Sequence, residues 1–307
     1  MKVDQVNFGG DLASAVRLSL ERPEPGPIRL RELVAGLPGN ARLELSGQLS
    51  GRGDTASFDG DLRLAGANLT RFLGWAARGY AVPEARGDGT FGLRGRLMAT
   101  PGAIELKDAQ AEIGRTAVAG GLSYRSEAGG VLALSLDGAL IDLAALAPGA
   151  LDVAGLRRFV WPDSATTVAA GPQQPFLLER MARDVQLRVK ALRITDGTRR
   201  FRDLDADLSL AGDVLKIAAL RFASEGGDLE FALEGQIARD GTRRKGQLEG
   251  FVAADTREAL VELVDLMDWP AALKAETALP TSLLPLRLGF TTGNGRRADL
   301  AVDLTVD

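Results

Sequence analysis

Alternation with a period of two runs through most of this chain and limits what it can fold into. Ala41, Leu43, Leu45, Gly47 and Leu49 alternate with Arg42, Glu44, Ser46 and Gln48. Phe58, Gly60, Leu62 and Leu64 alternate with Asp59, Asp61 and Arg63, and the pattern returns at Phe91, Leu93, Gly95 and Leu97 and at Leu132, Leu134 and Leu136. It resumes at Val185, Leu187 and Val189, at Leu204, Ala206, Leu208 and Leu210, and at Leu229, Phe231 and Leu233. Successive strand side chains point to opposite faces, so each run predicts a strand with one oily and one charged face. Leu37-Pro38-Gly39-Asn40, Gly51-Arg52-Gly53-Asp54, Pro101-Gly102, Gly129-Gly130, Ala211-Gly212-Asp213 and Asp240-Gly241 punctuate the runs. Connections this short join antiparallel neighbours, because a parallel crossover needs about a dozen residues or more. The predicted fold is mainly β, a long curled antiparallel meander with two or three short amphipathic helices.

Two of those helices are legible. Asn68 caps one that carries Leu69, Phe72, Leu73 and Ala76 on one face, near 68–78. Asp255 or Thr256 caps another with Leu260, Leu263, Val264 and Met267 at helical spacing, near 255–268 and stopped by Pro270. Shorter helical turns are expected after Asp142 and Pro175. Internal similarity accompanies them. Leu45-Ser46-Gly47-Gln48-Leu49 resembles Leu233-Glu234-Gly235-Gln236-Ile237, and each leads through a second strand into a capped helix. A third, partial copy at Ala119-Gly120-Gly121-Leu122-Ser123 makes the spacing irregular, 121 − 47 = 74 against 235 − 121 = 114. Residues 161–175 break the alternation and read as a joint between a first β half, 1–160, and a second, 176–307.

Composition removes whole classes of chemistry. The 307 residues contain no cysteine and no histidine, which excludes disulfides, thiolate or imidazole metal sites, and Ser-His or Cys-His catalysis. The 37 basic residues are outweighed by 41 acidic ones, so no overall field favours nucleic acid. Nearly every carboxylate falls on the polar phase of a strand or in a turn, and the chain reads as non-enzymatic, without cofactor or metal. No run reaches the roughly 18–20 apolar residues of a membrane-spanning helix. Short motifs dissolve in context. Gly87-Asp88-Gly89-Thr90-Phe91-Gly92 matches a dinucleotide fingerprint but opens a strand rather than a helix. Arg52-Gly53-Asp54 sits at a hairpin tip, and Asn68-Leu69-Thr70 serves better as a cap than as a glycosylation site. Asp203, Asp205 and Asp207 read as a solvated strand face. Arg199-Arg200 with Arg202, and Arg243-Arg244-Lys245, read as solvated loop ends, with anionic lipid head groups as the alternative.

Two stretches also resemble the AsmA family of bacterial envelope proteins. One runs from Phe58-Asp59-Gly60-Asp61-Leu62-Arg63-Leu64 and the Asn68 helix through Phe91-Gly92-Leu93-Arg94-Gly95-Arg96-Leu97 and Ile104-Glu105-Leu106-Lys107-Asp108 to Ala119-Gly120-Gly121-Leu122. The other runs from Pro175-Phe176-Leu177-Leu178 through Asp184-Val185-Gln186-Leu187-Arg188-Val189, Phe201-Arg202-Asp203-Leu204, Asp213-Val214-Leu215-Lys216-Ile217 and Gly227-Asp228-Leu229 to Gly235-Gln236-Ile237. The resemblance implies a periplasmic body with an apolar β-groove, held by an inner-membrane anchor helix and carrying phospholipid in outer-membrane biogenesis. It brings no catalytic residues. The anchor is not part of this chain, so the resemblance implies a segment of a longer, membrane-associated protein with envelope proteins as further partners.

The residues lead to the same place by a physical route. A sheet with a continuous oily face must fold back on itself, be covered by helices, or be filled by something else. Helices this few cannot cover it. The expected groove lining is Leu43, Leu45, Phe58, Leu62, Leu64, Phe91, Leu93, Leu132, Leu134, Leu187, Val189, Leu204, Leu208, Leu229, Phe231 and Leu233. An acyl chain of about fifteen methylenes would be spared on the order of 12 kcal/mol of exposure there, at ~0.8 kcal/mol per CH₂. The alternative is a closed β-sandwich or passenger-like domain that binds protein partners only.

Overall fold

A computed structural model describes residues 2–8, 11–24, 26–76, 89–142, 183–195, 199–240, 243–266, 285–292 and 300–304. The first strands are β1 (Lys2–Phe8), β2 (Asp11–Glu21), β3 (Ile28–Leu37), β4 (Ala41–Ser50) and β5 (Ser57–Gly66). Helix α1 (Leu69–Ala76) follows, then β6 (Phe91–Thr100), β7 (Ala103–Ile113), β8 (Thr116–Arg125) and β9 (Val131–Asp142). The chain continues with β10 (Asp184–Thr195), β11 (Arg200–Ala211), β12 (Val214–Ser224), β13 (Leu229–Asp240) and β14 (Arg243–Ala254). Helix α2 (Arg257–Leu266), β15 (Leu286–Thr292) and β16 (Leu300–Leu304) complete it. Strand order in the sheet is the order of the chain, and neighbouring strands from β1 to β8 and from β10 to β16 pair antiparallel, as the hairpin-length turns require. The fold is the expected β meander, with α1 and α2 the two α-helices among the described residues. The joint expected at 161–175 and the short helices after Asp142 and Pro175 lie outside those residues.

Chain contacts divide the protein into two units, Met1–Asp137 with Gln174–Arg183, and Gly138–Gln173 with Asp184–Asp307. In the first unit, β2, β3 and β7 each carry an extra residue that their partners lack, giving register shifts between Ser14 and Arg17, Leu30 and Leu33, and Leu106 and Ala109. In the second, β11 and β12 do so between Arg202 and Asp205 and between Ile217 and Leu220. Such bulges bend a strand and raise its twist. Three of them place a residue other than glycine in the left-handed region, Ala15 at φ 51°, Asp108 at 49° and Asp203 at 58°.

These irregularities expose a duplication more regular than the sequence alone suggests. Two bulged strands, two regular strands and a capped helix form the order β2-β3-β4-β5-α1, and the same order recurs as β11-β12-β13-β14-α2. The left-handed bulge residues, the mid-strand glycines and the helix caps are all separated by one interval, since 203 − 15, 235 − 47 and 256 − 68 each equal 188. The Gly120-Gly121 segment, read from the sequence as a third copy, lies in β8 and falls outside this correspondence.

Gly47 opposes Gly60 on the next strand, and the ring of Phe58 lies over the pair. A methyl group at Gly47 would collide with the Asp59 carbonyl oxygen and the Gly60 backbone, and would sit 2.9 Å from the Phe58 ring. Overpacking of this kind costs about 1–3 kcal/mol. Gly47→Ala is therefore expected to lower unfolding stability by that amount in a denaturant titration, and Gly289→Ala, with open space around the position and no left-handed backbone, to leave it nearly unchanged.

Candidate functional site: an apolar face in each unit

Register, more than sequence adjacency, assembles the oily residues of the first unit. Ala35, Leu43, Leu64, Leu93, Ala111 and Val118 oppose one another in turn across six strands, β3 to β8. Leu33, Leu45 and Leu62 form a parallel row, Leu30, Gly47, Gly60, Leu97, Leu106 and Leu122 the next, and Ile28, Leu49, Phe58, Ala99, Ile104 and Tyr124 the last. Residues directly opposed share a face, so these rows make one apolar surface.

That surface is closed at one end and open at the other. At the closed end α1 packs Leu69, Phe72 and Leu73 against Ala41, Phe91, Leu37, Leu64 and Ile113, with the Phe72 and Phe91 rings 5.1 Å apart. Ala41 is 3 % exposed there and Phe91 8 %. Local chemistry fixes the helix in place. The Arg71 N–H donates to Asn68 Oδ1 at 2.8 Å, the N-cap bond expected from the sequence. The β3–β4 turn holds it from below, because the Ala67 and Asn68 N–H groups both donate to the Gly39 carbonyl. Gly39 has φ 83°, and a side chain on it would run into the Asn68 carbonyl oxygen. At the far end of the strands Ile28 and Leu49 stand exposed, as do Ile104 at 47 % and Leu20 at 53 %.

The second unit carries a comparable apolar face without an exposed end, since Leu215 and Ile217, away from α2, are 6 % and 7 % exposed. Leu187, Leu208, Ile217, Gly235 and Leu248 oppose one another across β10 to β14, as do Val189, Ala206, Leu220, Leu233 and Gly250. Toward α2 the rows become core. Phe201 is 1 % exposed opposite Ile194, also 1 %, and Leu229 is fully buried opposite Ala254. Phe222 meets Phe201 edge-on at 5.1 Å and stacks on Phe231 at 5.0 Å. The Ala259 N–H donates to the Thr256 hydroxyl at 3.2 Å, which makes Thr256 the cap. Asp255 is held by its N–H to the Asp228 carbonyl and by Arg287 at 2.6 Å.

The opposite face of the sheet is a charge lattice. Arg96 grips Asp59 with two bonds of 2.8 and 2.7 Å, Arg188 reaches Asp207 at 2.7 Å, and Lys190 faces Asp205 at 3.7 Å. A depression of 580 Å³ on the first unit's polar side is lined by four arginines, Arg31, Arg63, Arg94 and Arg96, and four carboxylates, Glu32, Glu44, Asp61 and Asp108. Its charges cancel, so it selects no ion of either sign. The Arg96 hydrogen bonds hold the Asp59 carboxyl below its usual range, and Arg31 does the same for Glu21. Asp203, Asp205 and Asp207 each meet a separate cation, Asp203 pairing with Arg202 at 2.6 Å, and among the described residues no acidic cluster suits a metal ion. The bulge at Asp203 interrupts the uniform alternation read there from the sequence.

Of the sixteen expected lining residues, Leu43, Leu45, Phe58, Leu62, Leu64, Leu93, Leu134, Leu187, Val189, Leu204, Leu208 and Leu233 are half-buried, while Phe91, Leu132, Leu229 and Phe231 lie within packed interior. The rows also include Leu30, Leu33, Leu106, Ile217 and Leu220, which strict alternation misses. Bulges shift their phase, and the signal left in the sequence is a step of three, as in Leu30 to Leu33 and Ile217 to Leu220. Arg52-Gly53-Asp54 occupies the β4–β5 hairpin tip, and Phe91 opens β6, as expected. Among the described residues no helix is long and apolar enough to cross a membrane. Compared with known proteins, the chain matches no family model, no curated protein and no solved structure.

Removing the α1 cap tests the closed end, since Asn68→Ala should cost about 1 kcal/mol, read from the denaturation midpoint. The polar lattice has a pH signature. A carboxyl whose folded pKa is lowered contributes stability above its unfolded value near ~4 and loses it as pH falls through the folded value. Asp59→Asn should therefore melt below the native protein at neutral pH, and the gap in melting temperature should close on acidification.

Proposed function

We propose that each apolar face accommodates the acyl chains of phospholipid or another acyl lipid, and that the chain is a non-enzymatic, AsmA-like segment of a periplasmic protein in outer-membrane biogenesis. The observation that carries this reading is the one-ended gradient of the first unit. Each unit has rows of aliphatics that are core beneath one short helix, and in the first unit the rows end as exposed Leu20, Ile28, Leu49 and Ile104. Burial of a large aliphatic stabilises by about 1.5–3 kcal/mol, so a row left in water is a standing incentive for an apolar guest. The rows are aliphatic and continuous from strand to strand, which suits a sliding hydrocarbon chain better than a fixed ligand. Anchoring in the inner membrane rests on the family resemblance alone.

The test combines lipid extraction with probe uptake. Purified protein is expected to release phospholipid into organic solvent, detected by mass spectrometry, and to take up a fluorescent fatty acid. Leu49→Glu and Ile104→Glu, placed where the native residues are already exposed, should each weaken uptake by about tenfold or more while leaving the melting temperature nearly unchanged. Absence of both bound lipid and probe uptake would leave a scaffold that binds protein partners only.

A further inference from the structure

Register carries the duplication one strand further than β2 and β11. The pairs Lys2–Arg17, Val3–Val16 and Gln5–Ser14 across β1 and β2 have counterparts in Lys190–Asp205, Ala191–Leu204 and Arg193–Arg202 across β10 and β11. Both members of each pair keep the interval, since 190 − 2 and 205 − 17 each equal 188. The correspondence then breaks at one place. β10 continues beside β11 through Arg188–Asp207, Leu187–Leu208 and Gln186–Ser209, whereas the printed pairing of β1 with β2 stops at Lys2 and Arg17. Ser19, Leu20 and Glu21 pair with β3 on one side, and on the other they have no strand beside them among the described residues.

The step lies on the apolar face. The row Leu208, Ile217, Gly235 and Leu248 in the second unit matches Leu20, Leu30, Gly47 and Gly60 in the first. Only the second row has a further member, Leu187, opposite Leu208. Leu208, flanked on both sides, is half-buried, while Leu20, flanked by Leu30 alone, is 53 % exposed. Inside the row the copies agree, with Leu30 at 5 % and Ile217 at 7 %. The outer place is where they differ, and the second copy shows what covers it there: one more strand with a leucine opposite.

We infer that Leu18–Glu21 of β2 is a docking slot for an extended segment of another polypeptide, which adds a short strand antiparallel to β2 and in line with β1. A bare stretch of strand edge offers main-chain donors and acceptors to such a segment, and the side chains facing the sheet set its specificity. The pleat dictates the alternation of the guest. It carries an aliphatic residue opposite Leu20, as β10 does with Leu187, and polar residues opposite Ser19 and Glu21, as β10 does with Arg188 and Gln186. The slot uses Leu20 and leaves Ile28, Leu49 and Ile104 to the open end of the apolar face, so it stands apart from the acyl-chain reading.

The probe is the blocked hexapeptide Asp-Val-Gln-Leu-Arg-Val, the sequence of residues 184–189, titrated into the intact protein beside a control in which threonine replaces its three aliphatic residues. The first peptide is expected to slow amide hydrogen exchange within Leu18–Glu21, and the threonine peptide to bind about tenfold or more weakly. Leu20→Thr keeps a good strand former at an exposed position, so it should weaken the first peptide by a similar factor with little change in melting temperature. A second variant, with Asp-Val-Gln-Leu-Arg fused ahead of Met1, fills the slot from within and should no longer take the peptide. Equal binding of the two peptides, or full affinity in Leu20→Thr, overturns the pairing with Leu20. Undiminished binding to the fused variant places the peptide on another edge and overturns the slot, as does the absence of binding or of protection at Leu18–Glu21. None of these outcomes touches lipid uptake, which is read separately.

Discussion

Antiparallel register is the constraint on which the rest of this protein depends. Leu43, Leu64 and Leu93 are far apart in the chain and become one surface only because each strand pairs with its neighbour in a fixed phase. A slip of one residue would exchange the oily and charged faces of a strand, placing Arg63 or Asp61 among leucines. The charge lattice opposes such a slip. Arg96 on Asp59 and Arg188 on Asp207 are exposed pairs and add little to stability individually, yet each has its partner only in the native phase.

How much of this was legible in the sequence depends strand by strand on whether the alternation stays in phase. β4, β5 and β6 are regular, and their residues Leu45, Leu62 and Leu93 could be placed on the correct face from sequence alone. β3, β7 and β12 contain an extra residue, so a reading with strict period two lost Leu30 or Leu33, Leu106 and Leu220. Both helices and the Asn68 cap were foreseen, while the second cap, left between Asp255 and Thr256 by the sequence, is Thr256. The burial gradient was not. Nothing in Phe91 distinguishes it from Leu62, and only the placement of α1 decides which end of the first unit's face is sealed.

The duplication became clear for the same reason. Ala15 and Asp203 have no chemistry in common and would not be aligned as residue types. They share a left-handed backbone at the second residue of a bulge, 188 positions apart. Backbone geometry has been kept there although the side chains differ.

A meander in which strands pair with chain neighbours also bears on how the polypeptide reaches its native state. Within each unit the contacts close over short loops, from Pro101-Gly102 between β6 and β7 to Gly212-Asp213 between β11 and β12. Loop closure of this size has a small entropic cost, and low contact order favours rapid assembly. Any hairpin can serve as a nucleus and the sheet can grow outward from it in either direction, as repeat arrays do. Lengthening such a molecule during evolution requires only another hairpin copied in tandem, with no rewiring of the strands already present.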